Sequence, residues 1–259
     1  MITFVQQLLA CGFLLLYGVL ALQVWRRAGP VRHDRATLAW GVTAAYFLLT
    51  GVYSTGQSVL AAVGWSLGKW RGKESALLQW VATWSVGANL ARGLLGVVFA
   101  LILLALLVTR RRWALRAAHL APVLLTVCVV VFTAVAVQMP SINNLYGLGT
   151  GGAVLSTITA VILMGALLAA VLNDGIDQLL WLSLALYTLK ETLSVSLFTL
   201  IAWWSVIRAS EAWYFFYWVA VGLALGMSLL AARRLRLAGA GERVPALFER
   251  MYTLRSPVT

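Results

Sequence analysis

Seven apolar runs fill most of the 259 residues, near 3–24, 37–63, 85–109, 117–139, 150–172, 178–204 and 212–232. A helix crosses the hydrocarbon core of a bilayer in about 20 residues, so each run is long enough to span. In lipid every backbone amide must be satisfied within its own helix or in a closed barrel. The runs lack the alternating segments of about 10 residues that mark barrel strands, so they read as helices. The expected fold is all-α, a polytopic membrane protein with a bundle of seven transmembrane helices over residues 1–236 and a short tail at 237–259. Composition agrees, because charged residues are 11% of the chain against about 25% in soluble domains.

The arginines orient this bundle. Arg26, Arg27, Arg32 and Arg35 follow the first run. Arg110, Arg111, Arg112 and Arg116 follow the third, and Arg233, Arg234, Arg236, Arg243, Arg250 and Arg255 follow the seventh. On the other side stand only Lys69, Arg71, Lys73 and Arg208. Basic residues concentrate in cytoplasmic loops, so the N-terminus is expected outside and the C-terminus in the cytoplasm. The same clusters suit anionic lipid headgroups. The net charge of +12 therefore belongs to a membrane and not to nucleic acid, whose binders gather basic residues into a groove with interleaved aromatics.

The first run carries its positive charges after the apolar stretch, which marks an uncleaved helix and not a signal peptide. Abundant Ala, Leu, Val, Arg and Trp with only three Lys points to a bacterial inner membrane. Cys11 and Cys128 lie at membrane depth in separate runs and read as packed thiols. Between the second and third runs, Trp65, Trp70, Trp80 and Trp84 surround Lys69, Arg71 and Lys73. Trp and basic residues together favour the headgroup level, so residues 65–84 are expected to form an interfacial helix or a lid. The tail is too short for an output domain and offers a contact for other membrane subunits.

The chain carries a hint of repetition. Trp40 and Tyr46 in the second run are spaced as Trp181 and Tyr187 are in the sixth, and a Trp-Ser pair follows both, Trp65-Ser66 and Trp204-Ser205. Runs one to three and five to seven then read as parallel repeats joined by run four, an arrangement some transporters use.

The residues with chemical character are few. Lys190 and Glu191 lie near the middle of run six, where an ionisable side chain costs at least ~2.5 kcal/mol. Neighbours on a helix point about 100° apart, so the two are not expected to pair face to face. Ser183, Tyr187, Lys190, Glu191 and Ser194 fall on one helical stripe, and Thr43, Tyr46, Thr50, Tyr53, Ser54 and Gln57 form a second stripe on run two. Arg92, two turns into run three, either partners Glu191 or snorkels outward. Asp174 and Asp177 suit the start of run six as N-caps. Gly222 and Gly226 have the spacing of a helix-packing face.

Enzyme signatures are scarce. Two histidines, His33 and His119, do not suffice for a three-histidine metal site or a bis-histidine haem within the bundle. Gly147 to Gly152 matches the dinucleotide-loop spacing but lacks its strand and helix context. No cofactor is indicated. The expectation is a carrier or sensor that binds a small polar or amphipathic ligand or ion at mid-depth, through Lys190, Glu191, Tyr187, Tyr46, Thr50, Gln57 and Arg92. The alternative is a non-catalytic subunit of a larger membrane complex.

Overall fold

The computed structural model describes the backbone of residues 2–27, 35–71, 76–109, 112–138, 150–173, 177–203 and 209–239. Side chains are described over 5–27, 35–60, 90–109, 112–135, 154–171, 177–193 and 217–237, with a few beyond. Eight helices result: α1 Ile2–Arg27, α2 Arg35–Arg71, α3 Ala76–Val108, α4 Arg112–His119, α5 Ala121–Gln138, α6 Thr150–Asn173, α7 Gln178–Trp203 and α8 Ala209–Gly239. The described residues contain no strand. Among the described residues five stretches are long and apolar enough to cross a membrane, Val5–Arg27, Arg35–Leu60, Leu90–Val108, Val154–Val171 and Tyr217–Leu237. The pair α4 and α5, bent by 65°, makes a sixth if taken together.

The bend has a local cause. Pro122 stands at the second position of α5. Its ring cannot donate a backbone hydrogen bond and collides with the carbonyl four residues back, so the helix cannot run on from α4. Residues 117–139 are thus not the single straight span the hydropathy suggested. α4 is a short piece with Ala114 and Ala118 buried and Arg112, Trp113 and Arg116 exposed. Residues 65–84, expected as an interfacial helix or a lid, include the end of α2, which continues to Arg71, and the start of α3 at Ala76.

The helices close into a ring. α1 packs on α2, α2 on α3, α3 on α6, α6 on α7 and α7 on α8, and α8 returns to α1. Ser228 of α8 donates to the Phe13 carbonyl of α1 across that last seam. α5 lies outside the ring against α3 and α2. The outer surfaces are apolar, with Val52 and Val59 on α2, Val123, Val127 and Val130 on α5, and Val154, Val161 and Leu168 on α6 all exposed. Water would penalise such a surface, whereas hydrocarbon does not. Together with the apolar spans this makes the chain a membrane protein.

Close approach within the ring rests on glycines. A Cβ at Gly18 of α1 would stand 2.9 Å from the Leu48 backbone nitrogen of α2, and one at Gly51 2.6 Å from Leu15. At Gly93 of α3 a Cβ would meet Leu155 of α6 at 2.7 Å. Gly226 contacts Leu186 of α7, but Gly222 faces open space, so the expected packing pair is only half used.

Candidate functional site

The ring interior is aromatic at its centre. Tyr46 and Phe47 of α2, Phe99 of α3, Tyr17 of α1 and Tyr187 of α7 are all buried. Tyr46 stacks on Phe99 with centroids 4.0 Å apart, and Phe47 meets Tyr17 and Tyr187 edge-on at 4.8 and 4.9 Å. The polar tips of this cluster bond across the ring. The Tyr46 and Tyr187 hydroxyls are 2.6 Å apart, and Tyr17 meets Ser183 at 2.8 Å. Gly96 of α3 allows this geometry, since a Cβ there would crowd the Tyr46 hydroxyl at 3.3 Å and Thr159 Oγ1 at 3.1 Å.

One turn along α7 from Tyr187 the interior becomes charged. Lys190 donates to Glu191 Oε1 at 2.6 Å. The expectation that these neighbours would not pair is thus corrected. It followed the Cβ directions alone, and a four-carbon lysine stem is long enough to curl back round the helix. Glu191 is buried, and the Ser156 hydroxyl of α6 approaches it. The Lys190 ammonium lies 5.3 Å from the Tyr187 ring centroid, within range of a cation–π contact.

Arg92 of α3 is exposed; its charge lies within electrostatic range of Cys11 of α1, Tyr46 and Tyr53 of α2, Tyr187 and Glu191 of α7 and Tyr217 of α8. The ion pairs among the described residues are Lys190–Glu191 and Arg234–Asp177, and neither includes Arg92.

On α2 the stripe divides. Thr43, Tyr46, Thr50 and Ser54 are buried, and the Thr43 and Ser54 hydroxyls have no hydrogen-bond partner. Thr50 Oγ1 approaches the Tyr46 hydroxyl without forming a bond of good geometry. Tyr53 leaves the stripe. Thr133 Oγ1 of α5 donates to its own helix at Val129, so the Tyr53 hydroxyl donates to it at 2.7 Å, outside the ring. Gln57 is half-buried. Ser194 lies outside the described side chains, as Asp174 lies outside the described residues.

Sequence reasoning passed over Gln6, Ser156 and Tyr17. Gln6 is 2% exposed, and neither amide atom has a partner. It stands eleven residues before Tyr17, close to three full turns, so both project into the ring. A glutamine inside the first apolar run was the available signal. The far end of α7 behaves as expected. Asp177 caps it by accepting from the Leu179 amide at 2.8 Å, and it also pairs with Arg234 of α8. Among the described residues no group of three His, Cys, Asp or Glu side chains is placed to hold a metal.

No protein-family model, curated protein or solved structure matches this chain.

Proposed function

We propose that this protein is a seven-span bacterial inner-membrane carrier or sensor that binds a small polar or amphipathic ligand within the helical ring. In this reading the bent pair α4 and α5 forms the fourth span and α7 the sixth. The N-terminus lies outside, as the skew of arginines toward one set of loops favours. Arg92, Lys190, Glu191, Tyr187, Tyr46 and Thr50 line the site, with Gln57 toward its mouth. The arginine clusters contact anionic headgroups, and a cytoplasmic partner receives the signal if the protein senses.

One observation carries the reading. A buried carboxylate collects Lys190 from its own helix, Ser156 from α6 and the field of Arg92 from α3, beside hydroxyls with no partner. Polar contacts between membrane helices contribute only about 0.6 kcal/mol each, too little to retain three charges inside a bundle. The ring order also puts α2 opposite α7, with Tyr46 meeting Tyr187. Parallel repeats related by an axis along the membrane normal produce this arrangement, which supports two like halves around one site.

The test is the joint replacement Lys190→Gln with Glu191→Gln, which removes both charges of the pair and leaves the net charge unchanged. Ligand-dependent stabilisation of the purified protein is expected to weaken about tenfold or more while the helical content and unfolding midpoint of the ligand-free protein hold. A response equal to that of the wild type defeats the assignment.

A further inference from the structure

We infer that α4 lies along the membrane surface and holds the phosphate of an anionic phospholipid between Arg112 and Arg116, with an acyl chain of the same lipid along Val123, Val127 and Val130 of α5. This rests on the membrane reading, with the bent pair as one span, and narrows the contact between arginines and headgroups to one helix. It does not depend on the ligand site within the ring.

The bend sets the placement. α4 and α5 meet at 65°, so when α5 runs along the bilayer normal α4 lies nearer the membrane plane. The residues of α4 then sort by side. Ala114 and Ala118 are buried, and the helix packs on α2 and α3. Arg112 and Arg116 are exposed and stand four residues apart, on one face of the helix. Trp113 beside them is 53% exposed. Tryptophan and basic residues together favour the headgroup level.

Nothing in α4 itself favours its two arginines. Like charges four residues apart on a helix repel each other. Arg112 opens α4, whose first turn has no acidic residue, and the positive end of the helix dipole disfavours a cation there. No Asp or Glu occurs in the sequence between Glu74 and Asp174. Neither ion pair among the described residues includes Arg112 or Arg116. An anion from outside the chain, set between the two guanidinium groups, turns the repulsion between them into a shared attraction. The planar fork of each group fits two phosphate oxygens.

The apolar surface that continues from the arginines makes the source of that anion a lipid. α5 stands outside the ring against α3 and α2. Leu120, between α4 and α5, and Val123, Val127 and Val130 of α5 are all more than half exposed. The three valines share one face by their spacing. From Leu120 to Val130 a helix rises ~15 Å, about one leaflet of a hydrocarbon core ~30 Å thick. A phosphodiester between the arginines therefore has a chain-length strip of apolar surface below it. A soluble anion would use the arginines and leave that strip unused.

The experiment reads tryptophan fluorescence of the purified full chain in neutral-detergent micelles that carry brominated phosphatidylglycerol or brominated phosphatidylcholine. The difference between the wild type and Trp113→Phe isolates the Trp113 signal. That signal is expected to be half-quenched at a mole fraction of phosphatidylglycerol about 25-fold below that of phosphatidylcholine, about fivefold for each arginine. Arg112→Gln and Arg116→Gln, each read against its own Trp113→Phe partner, lower the preference about fivefold, and the joint replacement removes it. Arg112→Lys with Arg116→Lys keeps the charges, loses the forks and falls between. Equal quenching by the two lipids, or a preference that survives the joint replacement by Gln, overturns the site. Relief of the quenching by sodium phosphate at constant ionic strength marks a bare phosphate site and overturns the lipid as its occupant. Quenching by neither lipid overturns the placement of α4 at the membrane surface as well. The joint Lys190 and Glu191 variant keeps the full lipid preference, so failure here and failure of the ring site are read separately.

Discussion

Removing one hydroxyl from the centre of the ring tests how its two sides are held together. Tyr46→Phe keeps the ring stacked on Phe99 and deletes only the oxygen that lies 2.6 Å from the Tyr187 hydroxyl. Tyr187→Phe is the mirror experiment and keeps the edge contact with Phe47. Each single change leaves a buried hydroxyl without its partner, at a cost of about 1–3 kcal/mol. The double replacement leaves neither orphan, so it is expected to cost less than the two singles added together. The coupling should be about 0.5–1.5 kcal/mol, in the range found between membrane helices, which averages about 0.6 and reaches about 1.7. Reversible unfolding in mixed micelles of rising dodecyl sulfate content, followed by tryptophan fluorescence, measures all four proteins. Strictly additive single effects would refute the bond, because residues that do not interact show no coupling.

Two further outcomes follow from packing and capping. Gly18→Ala should destabilise by about 1–3 kcal/mol, since its Cβ meets the Leu48 backbone, while Gly222→Ala, which meets nothing within 4 Å, should be near neutral in the same micelle titration. Asp177→Ala removes the α7 cap and the Arg234 partner together, and a loss of about 0.5–2 kcal/mol is expected from the cap alone. Asp177→Asn keeps the capping oxygen and should recover part of that loss; equal damage from both changes would show that the cap contributes nothing.

Much of the architecture was legible because hydropathy and helix length answer to the same bilayer. The starts of α6 at Thr150 and α7 at Gln178 fall where the apolar runs begin. The end of α2 was not legible. Hydrophobicity marks where lipid stops, but a helix with good backbone bonds can continue past it, as α2 does to Arg71. The bend at Pro122 carried a visible signal, a proline inside an apolar stretch, which the continuous hydropathy concealed.

At the site, Lys190 and Glu191 stood out because charge is rare at that depth. Their pairing did not, since helical wheels describe Cβ directions and not the reach of a lysine. Tyr53 shares the spacing of Tyr46 closely enough to be read with it, yet a few tens of degrees send it to Thr133 on α5. Arg92 was open between two directions, because no spacing along one helix decides between a partner on another helix and an outward path. The glycines that bring α1 against α2, Gly18 and Gly51, sit in different runs. No spacing rule links residues on separate helices.

The seam between α1 and α8 joins the earliest of these helices to the latest. Until α8 arrives, the side of α1 that packs on it has no cover, and the Phe13 carbonyl lacks the hydrogen bond that Ser228 gives it. Assembly of the ring thus cannot finish during synthesis of the first half. A chain that stops short of α8 leaves the ring open between α7 and α1.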